Sequence, residues 1–203
     1  MKINNLPIIS HVVKRGQETD LGEVIVCAED EEILSAVKKN GGQAILTGNH
    51  HKNGTERIAE ALQKLKKNEV DFVISLQGDE PAIDPLDIKN LFNLMIESNS
   101  EIGTLASEIN DNFVKAINFS RDDISKESSN IYHHIGVYCY KSSILKKFVN
   151  LKQTKNEINN RLEQLRVIDN DIKINVALAK SSPIGVDTKE DYIALKKIME
   201  YKS

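Results

Sequence analysis

The segment Val70–Pro81, VDFVISLQGDEP, decides the fold. Its first half is a run of apolar, β-branched and aromatic residues, which predicts a buried strand over Asp71–Leu76. Its second half, Gln77 to Pro81, is a polar turn with glycine, acidic residues and proline. A strand that ends in such a turn and leads into a helix is the repeating unit of an α/β sheet.

Similar units lie on both sides of this segment. The other predicted strands are Val24–Ala28, Gln43–Leu46, Gly103–Ser107, Ile135–Tyr140 and Ile172–Ala179. The predicted helices are Leu6–Lys14, Glu31–Lys39, Thr55–Lys66, Pro85–Ser98, Leu145–Leu151, Asn156–Val167 and Lys189–Met199. Because strand–helix–strand units need crossover connections, we expect an α/β fold with a doubly wound, mostly parallel sheet. No strand is expected before the first helix.

The region from about 108 to 140 is more polar, and it predicts a small, shortened lobe inserted into a single domain that spans residues 1–203. The 203 residues include 27 basic and 30 acidic side chains without a basic stripe, so nucleic acid is not an expected partner. No apolar run approaches the length of a membrane span, and we expect a cytoplasmic chain without a signal peptide. The two cysteines, Cys27 and Cys139, lie in apolar runs typical of buried, reduced thiols.

Two acidic turns follow predicted strands. Asp79 follows the strand at 71–76, and Asp187 follows the strand at 172–179. Ligands of open α/β sheets bind beyond the carboxyl ends of the strands, where two carboxylates are suited to hold Mg2+ against phosphate oxygens. The structural alternative is a tight turn at Asp79 and a helix cap at Asp187 or Thr188, completed by Asp191.

Other candidate residues have equally ordinary structural alternatives. Arg57 follows a glycine turn, Asn53 to Thr55, and suits an anion or a base edge, unless Thr55 only caps a helix. Arg121, His134 and Tyr138 suit an acidic sugar. The alternative for Glu163 on the helical pattern is a surface ion pair with Arg166, three residues on.

Neither of the two histidine pairs has the spacing of a zinc site. His50-His51 and His133-His134 are adjacent in sequence, and adjacent side chains seldom point at one metal ion, so zinc is not expected. The sequence also contains no GxSxG, no P-loop and no complete GxGxxG motif. These absences leave hydrolase, kinase-type and dinucleotide oxidoreductase functions without support.

Six motifs in order nearly span the chain: NGTERIAEA, SLQGDEP, INFSR, HHIGVYCY, LEQLR and GVDTKEDY. The series resembles that of the 3-deoxy-manno-octulosonate (Kdo) cytidylyltransferases, also called CMP-Kdo synthetases. This resemblance implies a nucleotide-diphospho-sugar transferase-like fold. It also implies a Mg2+-dependent nucleotidyl transfer in which Kdo attacks CTP, giving CMP-Kdo and pyrophosphate for lipopolysaccharide synthesis.

The resemblance also implies roles for individual residues. Asp79 and Asp187 would be catalytic and hold Mg2+, and Arg57 and Gln77 would contact the nucleotide. The implied sugar-binding residues are Arg121, His134, Tyr138, Glu163 and Gln164. The family further suggests a homodimer.

Against the family pattern, Leu6 to Ile9 resemble residues that follow the family's first strand and its Arg- and Lys-rich triphosphate loop. The expectation is that this strand and loop are lacking. The alternatives are then a catalytically impaired or inactive remnant of the enzyme, or a cytidylyltransferase for another acidic sugar such as a sialic acid.

Overall fold

The structure is a computed structural model that describes residues 1–65, 70–107, 114–116, 118–120, 131–180 and 182–200. In chain order its elements are β1 Lys2–Ile3, β2 Leu6–Pro7, α1 Ile8–Glu18, β3 Ile25–Ala28, α2 Glu31–Lys39, β4 Gln43–Leu46, α3 Gly54–Lys64, β5 Phe72–Ser75, α4 Pro85–Glu97, β6 Ile102–Ser107, β7 Val114–Lys115, β8 His133–Lys141, α5 Ser142–Asn150, α6 Lys155–Asn160, α7 Gln164–Ile168, β9 Ile174–Ala179 and α8 Lys189–Glu200.

The chain divides into two compact units. Unit 1 takes the described residues within Met1–Leu65, Leu76–Lys89 and Pro183–Ser203, and unit 2 takes those within Lys66–Ser75 and Asn90–Ser182. Much of the predicted 108–140 lobe lies outside the described residues, and the single-domain organisation stays a prediction. No helix in the described part of the chain is both long and apolar enough to cross a membrane.

Unit 1 begins with a small hairpin, so the expectation that no strand precedes the first helix was wrong. β1 and β2 pair antiparallel, with Ile3 opposite Leu6. The two residues between them, Asn4 and Asn5, both have positive φ (48° and 63°), the conformation of a two-residue hairpin turn that asparagine tolerates well. The sequence signal was this Asn-Asn pair. The helix then begins at Ile8 rather than Leu6.

The remainder of unit 1 follows the predicted strand–helix alternation. β3 and β4 pair in parallel around α2, with Ile25 opposite Gln43. In α1, Gly16 allows the helix backbone to lie close to Val24, because a Cβ on residue 16 would lie 3.1 Å from a methyl group of Val24. Glycine therefore lets α1 pack directly against the residues that lead into β3.

Unit 2 is built on a five-stranded sheet in the order β5-β8-β6-β9-β7. β6 pairs in parallel with β9, whereas β8 runs antiparallel to both of its neighbours, β5 and β6. Every residue of β6 is buried, and a Cβ on Gly103 would lie 2.7 Å from the Met95 sulfur of α4. The edge strand β7 also runs antiparallel to its neighbour β9. The α/β class is thereby confirmed, with β8 and β7 running antiparallel to the other three strands of this sheet.

The β8 strand contains a bulge. Thr104 of β6 pairs with Tyr138, but the next residue, Leu105, pairs with Ile135, so the register on β8 shifts across Gly136 and Val137. Glycine inside a strand favours such an irregularity, and bulges often re-aim side chains beside active sites.

The helical pattern predicted over Asn156–Val167 is two helices in the structure. Arg161 adopts the left-handed conformation (φ 53°), which ends α6 and turns the chain into α7. The break places Glu163 directly before α7 and Gln164 at its first residue.

Candidate active site

Two acidic turns of unit 1 are joined by a backbone hydrogen bond. The Val186 amide donates to the Asp79 carbonyl at 2.9 Å. Asp79 follows β5 and is half-buried, whereas Asp187, the neighbour of Val186, is exposed. The structure therefore brings together the two turns that the sequence placed at strand ends. Gln77 is exposed in the first of these turns, where its carbonyl accepts from the Glu80 amide.

The helix cap beside Asp187 is made by other residues. The Thr188 hydroxyl accepts from the Asp191 amide at 3.1 Å, and the Asp191 carboxylate accepts from the Thr188 amide at 2.8 Å. The Thr188 hydroxyl also donates to the Asp191 carboxylate at 2.7 Å, and this hydrogen bond, followed by the one from the Thr188 amide, lowers the pKa of Asp191. The reciprocal pair is the predicted capping box, and it does not use the Asp187 carboxylate, which leaves that group for another role.

Arg57 is held by the loop between β4 and α3. Its guanidinium donates to the Thr47 hydroxyl at 2.8 Å and to the Gly48 carbonyl at 3.1 Å, and it forms an ion pair with Glu29 at 2.5 Å. The N-cap of α3 is Asn53, whose side chain accepts from the Glu56 amide, so the alternative of a Thr55 cap was wrong. Arg57 thus links Glu29, the residue after β3, to the β4–α3 loop.

The same loop carries the first histidine pair. The ring centroids of His50 and His51 are 4.3 Å apart, and the His51 Nε2 atom contacts the Glu60 carboxylate. Glu60 also accepts from the Gly48 amide at 2.9 Å and pairs with Lys64 at 2.6 Å. These contacts, with the Lys64 hydrogen bond the largest, lower the pKa of Glu60 to about 2. The two adjacent imidazoles therefore lie side by side, close to one carboxylate.

In unit 2 the β8 bulge sets His134 beside Tyr138. Their ring centroids are 5.4 Å apart, and Phe119 packs edge-on against His134 at 5.1 Å. The Thr104 hydroxyl donates to the Val137 carbonyl at 2.8 Å and lies 3.0 Å from His134 Nε2. Because the single Thr104 proton goes to Val137, we assign Nε2–H of a neutral His134 as the donor to Thr104.

Burial controls the ionisation of this cluster. It lowers the pKa of His134 to about 4, with a smaller contribution from His133. It also raises the pKa of Tyr138 well above its ordinary value, and the nearby Tyr140 and Glu163 raise it further, against a smaller opposing effect of Thr104. Both rings are therefore uncharged at neutral pH, which suits hydrogen bonding to a polar ligand.

The α6–α7 segment contains a buried ion pair that the sequence analysis missed. Arg166 and Glu157 are only 2% and 4% exposed and are joined by two hydrogen bonds, at 2.8 and 2.5 Å. Arg166 is therefore buried and bonded to Glu157, which contradicts the alternative that placed it in a pair on the surface. Glu157 also completes a capping box with Thr154. The pattern TxxE was the available signal.

This ion pair fixes the segment that carries two predicted sugar-binding residues. Gln164 is buried at the start of α7, and the Glu163 carbonyl accepts from the Arg166 amide at 3.1 Å. His134, Tyr138, Glu163 and Gln164 all belong to unit 2, while Arg57, Gln77, Asp79 and Asp187 belong to unit 1. Arg121 lies outside the described residues.

The cysteines have high pKa values. Burial raises the pKa of Cys27 to about 11 and that of Cys139 to about 12. Both thiols are therefore protonated at neutral pH, in agreement with the interpretation as small apolar residues.

The comparison with known proteins identifies the family. Residues 1–174 match the family model described as cytidylyltransferase. The chain is 39% identical to the 3-deoxy-manno-octulosonate cytidylyltransferase of Thermodesulfovibrio yellowstonii, over 97% of this chain and 89% of that protein. It is 36% identical to the enzyme of that name from Paramagnetospirillum magneticum, over 93% of this chain and 85% of that protein. The chain belongs to the 3-deoxy-manno-octulosonate cytidylyltransferase family.

Solved structures agree with this assignment. A CMP:2-keto-3-deoxy-manno-octonic acid synthetase, solved as a complex with CTP, is 28% identical and superposes with a TM-score of 0.89, over 100% of this chain and 91% of that one. A nucleotidyl transferase from Methanothermobacter thermautotroptrophicus, 14% identical over 100% of this chain and 85% of that one, has a TM-score of 0.73 and supports the fold alone. The nucleotidyltransferase-like fold expected for the family is confirmed.

Proposed function

We propose that the chain activates 3-deoxy-manno-octulosonate (Kdo) with CTP, forming CMP-Kdo and pyrophosphate for lipopolysaccharide synthesis in the cytoplasm. The anomeric hydroxyl of Kdo forms a bond to the α-phosphorus of CTP, the bond from that phosphorus to the bridging oxygen breaks, and pyrophosphate leaves. The hydroxyl proton passes to solvent. The observation that carries the proposal is the Val186–Asp79 hydrogen bond, which joins the two acidic turns in a chain of this family.

Asp79 and Asp187 are the proposed ligands of Mg2+. Their donor set fits this ion, because carboxylate oxygens are the hard ligands that Mg2+ takes from proteins, and the Asp187 carboxylate has no part in the Thr188–Asp191 capping box. Bound Mg2+ would supply positive charge against the phosphate oxygens. Gln77 in the same turn and Arg57 are the proposed nucleotide contacts. Arg57 contributes charge while it keeps the β4–α3 loop in place through Thr47 and Gly48.

The sugar is the proposed ligand of the unit 2 cluster. His134 and Tyr138 offer neutral polar groups, of which the first is half-buried and the second buried. Gln164 and Glu163 are held at the start of α7 by the Glu157–Arg166 pair. Arg121 is the proposed partner of the sugar carboxylate. A homodimer, as the family suggests, is part of the same proposal.

The test is Mg2+-dependent pyrophosphate release from CTP and Kdo by the full chain. Asp79→Asn and Asp187→Asn are each expected to lower kcat/KM about 100-fold or more, because a preorganised group facing phosphate charge is removed. Glu190→Gln is the matched control, since it removes an exposed carboxylate three residues after Asp187 and is expected to leave the rate unchanged.

Three other results would contradict the proposal. Release with a sialic acid and not with Kdo would identify a different acidic sugar. No release with either sugar, from chain that is folded by circular dichroism, would identify an inactive member of the family. Equal losses in Glu190→Gln and Asp187→Asn would remove the assignment of Asp187.

A further inference from the structure

The β4–α3 loop and helix α3 bring together three side chains that can bind a metal ion. His50 and His51 lie in the loop and Glu60 lies on the helix, and one ligand atom from each lies within 4.8 Å of the others. No role in the proposed reaction uses this set. We propose that His50, His51 and Glu60 form a second metal site, selective for a borderline divalent transition ion of the Zn2+ class.

The separations fit such an ion. Zn2+ binds imidazole nitrogen and carboxylate oxygen at about 2.0–2.2 Å, which places the ligand atoms of a tetrahedral site about 3.4 Å apart. The ligand atoms of the three groups lie within 4.8 Å of one another, so binding would require their side chains to rotate towards a common point. The His51–Glu60 contact would open to admit the ion between the two groups.

The backbone makes room for the histidine. Gly48 lies beneath the His50 ring, and a Cβ at this position would collide with Cε1 and Nδ1 of that ring. The same missing side chain leaves the Gly48 amide open to donate to Glu60 at 2.9 Å. A glycine at this position therefore shapes a cradle for two of the three ligands.

The carboxylate is prepared to act as a ligand. Lys64 holds its Oε1 atom at 2.6 Å and is itself anchored to the Leu46 carbonyl at 2.9 Å. The Gly48 amide holds the other oxygen, Oε2. Hydrogen bonds to both oxygens orient a metal-binding carboxylate and keep it ionised.

The donor set selects the ion. Two imidazole nitrogens and one carboxylate oxygen suit Zn2+ and its transition-metal neighbours, whereas Mg2+ requires oxygen ligands. His50 is exposed, so a fourth position faces solvent and water can occupy it. This selectivity separates the site from the Asp79 and Asp187 pair proposed for Mg2+.

The test is titration of the metal-free full chain with Zn2+ in a competition assay with a chromophoric chelator, together with the visible absorption spectrum after addition of Co2+. The expected result is one Zn2+ per chain, not displaced by millimolar Mg2+, and a Co2+ spectrum with ligand-field bands. His50→Ala and Glu60→Gln are each expected to weaken Zn2+ binding by about 10- to 100-fold or more.

His133→Ala is the matched control, because it removes an exposed histidine of the other pair and is expected to leave Zn2+ binding intact. His50 is exposed, so His50→Ala is expected to fold and to keep Mg2+-dependent pyrophosphate release. The proposal is overturned if no Zn2+ binds, or if His50→Ala and Glu60→Gln bind it as tightly as the unchanged chain. The three residues would then be only a hydrogen-bonded network, and the proposed transferase activity would be unaffected.

Discussion

The two units place the same kinds of residue in opposite settings, which the histidine pairs show most clearly. His50 and His51 lie in a loop of unit 1, where both rings stay close together beside Glu60. His133 and His134 lie on strand β8 of unit 2, where successive side chains face opposite sides of the sheet. His133 is exposed and bonded to Ser182, whereas His134 is half-buried against Phe119 and Tyr138.

The glutamates differ in the same way. Glu60 pairs with Lys64 at the surface, whereas Glu157 pairs with Arg166 in the interior. Since the interaction of two charges strengthens as water is removed, and so does the penalty for an unpaired charge, identical chemistry has different consequences in the two units. Water can replace the half-exposed Lys64 as a partner of Glu60, whereas no water reaches the Glu157–Arg166 pair as readily, because both side chains are buried.

The largest difference is expected from removing one cation of each pair. Arg166→Met leaves Glu157 buried without its partner and is expected to lower the free energy of unfolding by about 3–5 kcal/mol. Lys64→Met removes a half-exposed cation and is expected to leave the urea midpoint within experimental error. Adding Glu157→Gln to Arg166→Met should recover part of the loss. Equal effects of the two single changes would refute the contrast between the units.

A second test uses the pH dependence of stability. The pKa of His134 falls from an ordinary value near 6.5 to about 4 in the folded chain, mainly through burial. Between these values the unfolded chain binds a proton that the folded chain does not. Stability from this residue is therefore present above pH 6.5 and is lost as the pH falls towards 4, by up to about 3 kcal/mol.

Urea unfolding of His134→Gln and His133→Gln at several pH values checks this expectation. His134→Gln should flatten the profile between pH 6.5 and 4. His133→Gln should keep nearly all of the slope, because the charge of His133 is only the smaller cause of the shift. If the profile flattens only in His133→Gln, the titrating residue is His133 and the prediction for His134 is wrong.

The smallest contrast concerns the two thiols. Burial raises the pKa of Cys27 in unit 1 to about 11 and that of Cys139 in unit 2 to about 12, from 9.0. At pH 8 their thiolate fractions are then about 100-fold and about 1,000-fold lower than in the unfolded chain. The thiols can be labelled with Ellman's reagent before and after unfolding, with Cys27→Ser and Cys139→Ser to assign each signal. In the folded chain both should react more slowly than in the unfolded chain, and Cys139 should react more slowly than Cys27. Rapid labelling of Cys139 in the folded chain would contradict the burial of this thiol in unit 2.

Most helices and strands could be predicted because their signals are local. The apolar runs ending at Ala28, Leu46 and Ala179 and the periodic pattern of α2 need no distant partner to be recognised. The Thr188–Asp191 capping box was also found, since both of its members lie within one helical turn. The errors came where chain reversals or distant contacts decide, at the Asn4-Asn5 hairpin and at Arg161, which divides one helical pattern into two.

The residues of the candidate site also differ in whether local sequence is enough to identify them. Asp79 and Asp187 could be selected from the sequence, because a carboxylate that follows a strand has a position defined by that strand alone. Thr104, Glu157 and Glu60 could not, because their roles depend on a register shift, a buried partner and a loop conformation respectively.

The sequence by itself determined the fold class, the family and the residue types available at each strand end, since these depend on local periodicity and on motif order. Only the tertiary structure decided which of those residues meet. It brought the Val186 amide to the Asp79 carbonyl and Glu60 to both histidines of the loop, and it enclosed Arg166 with Glu157. The physical reason is that hydrogen bonds, ion pairs and ligand sets act over a few ångströms, and folding alone brings groups from distant parts of the chain within that range.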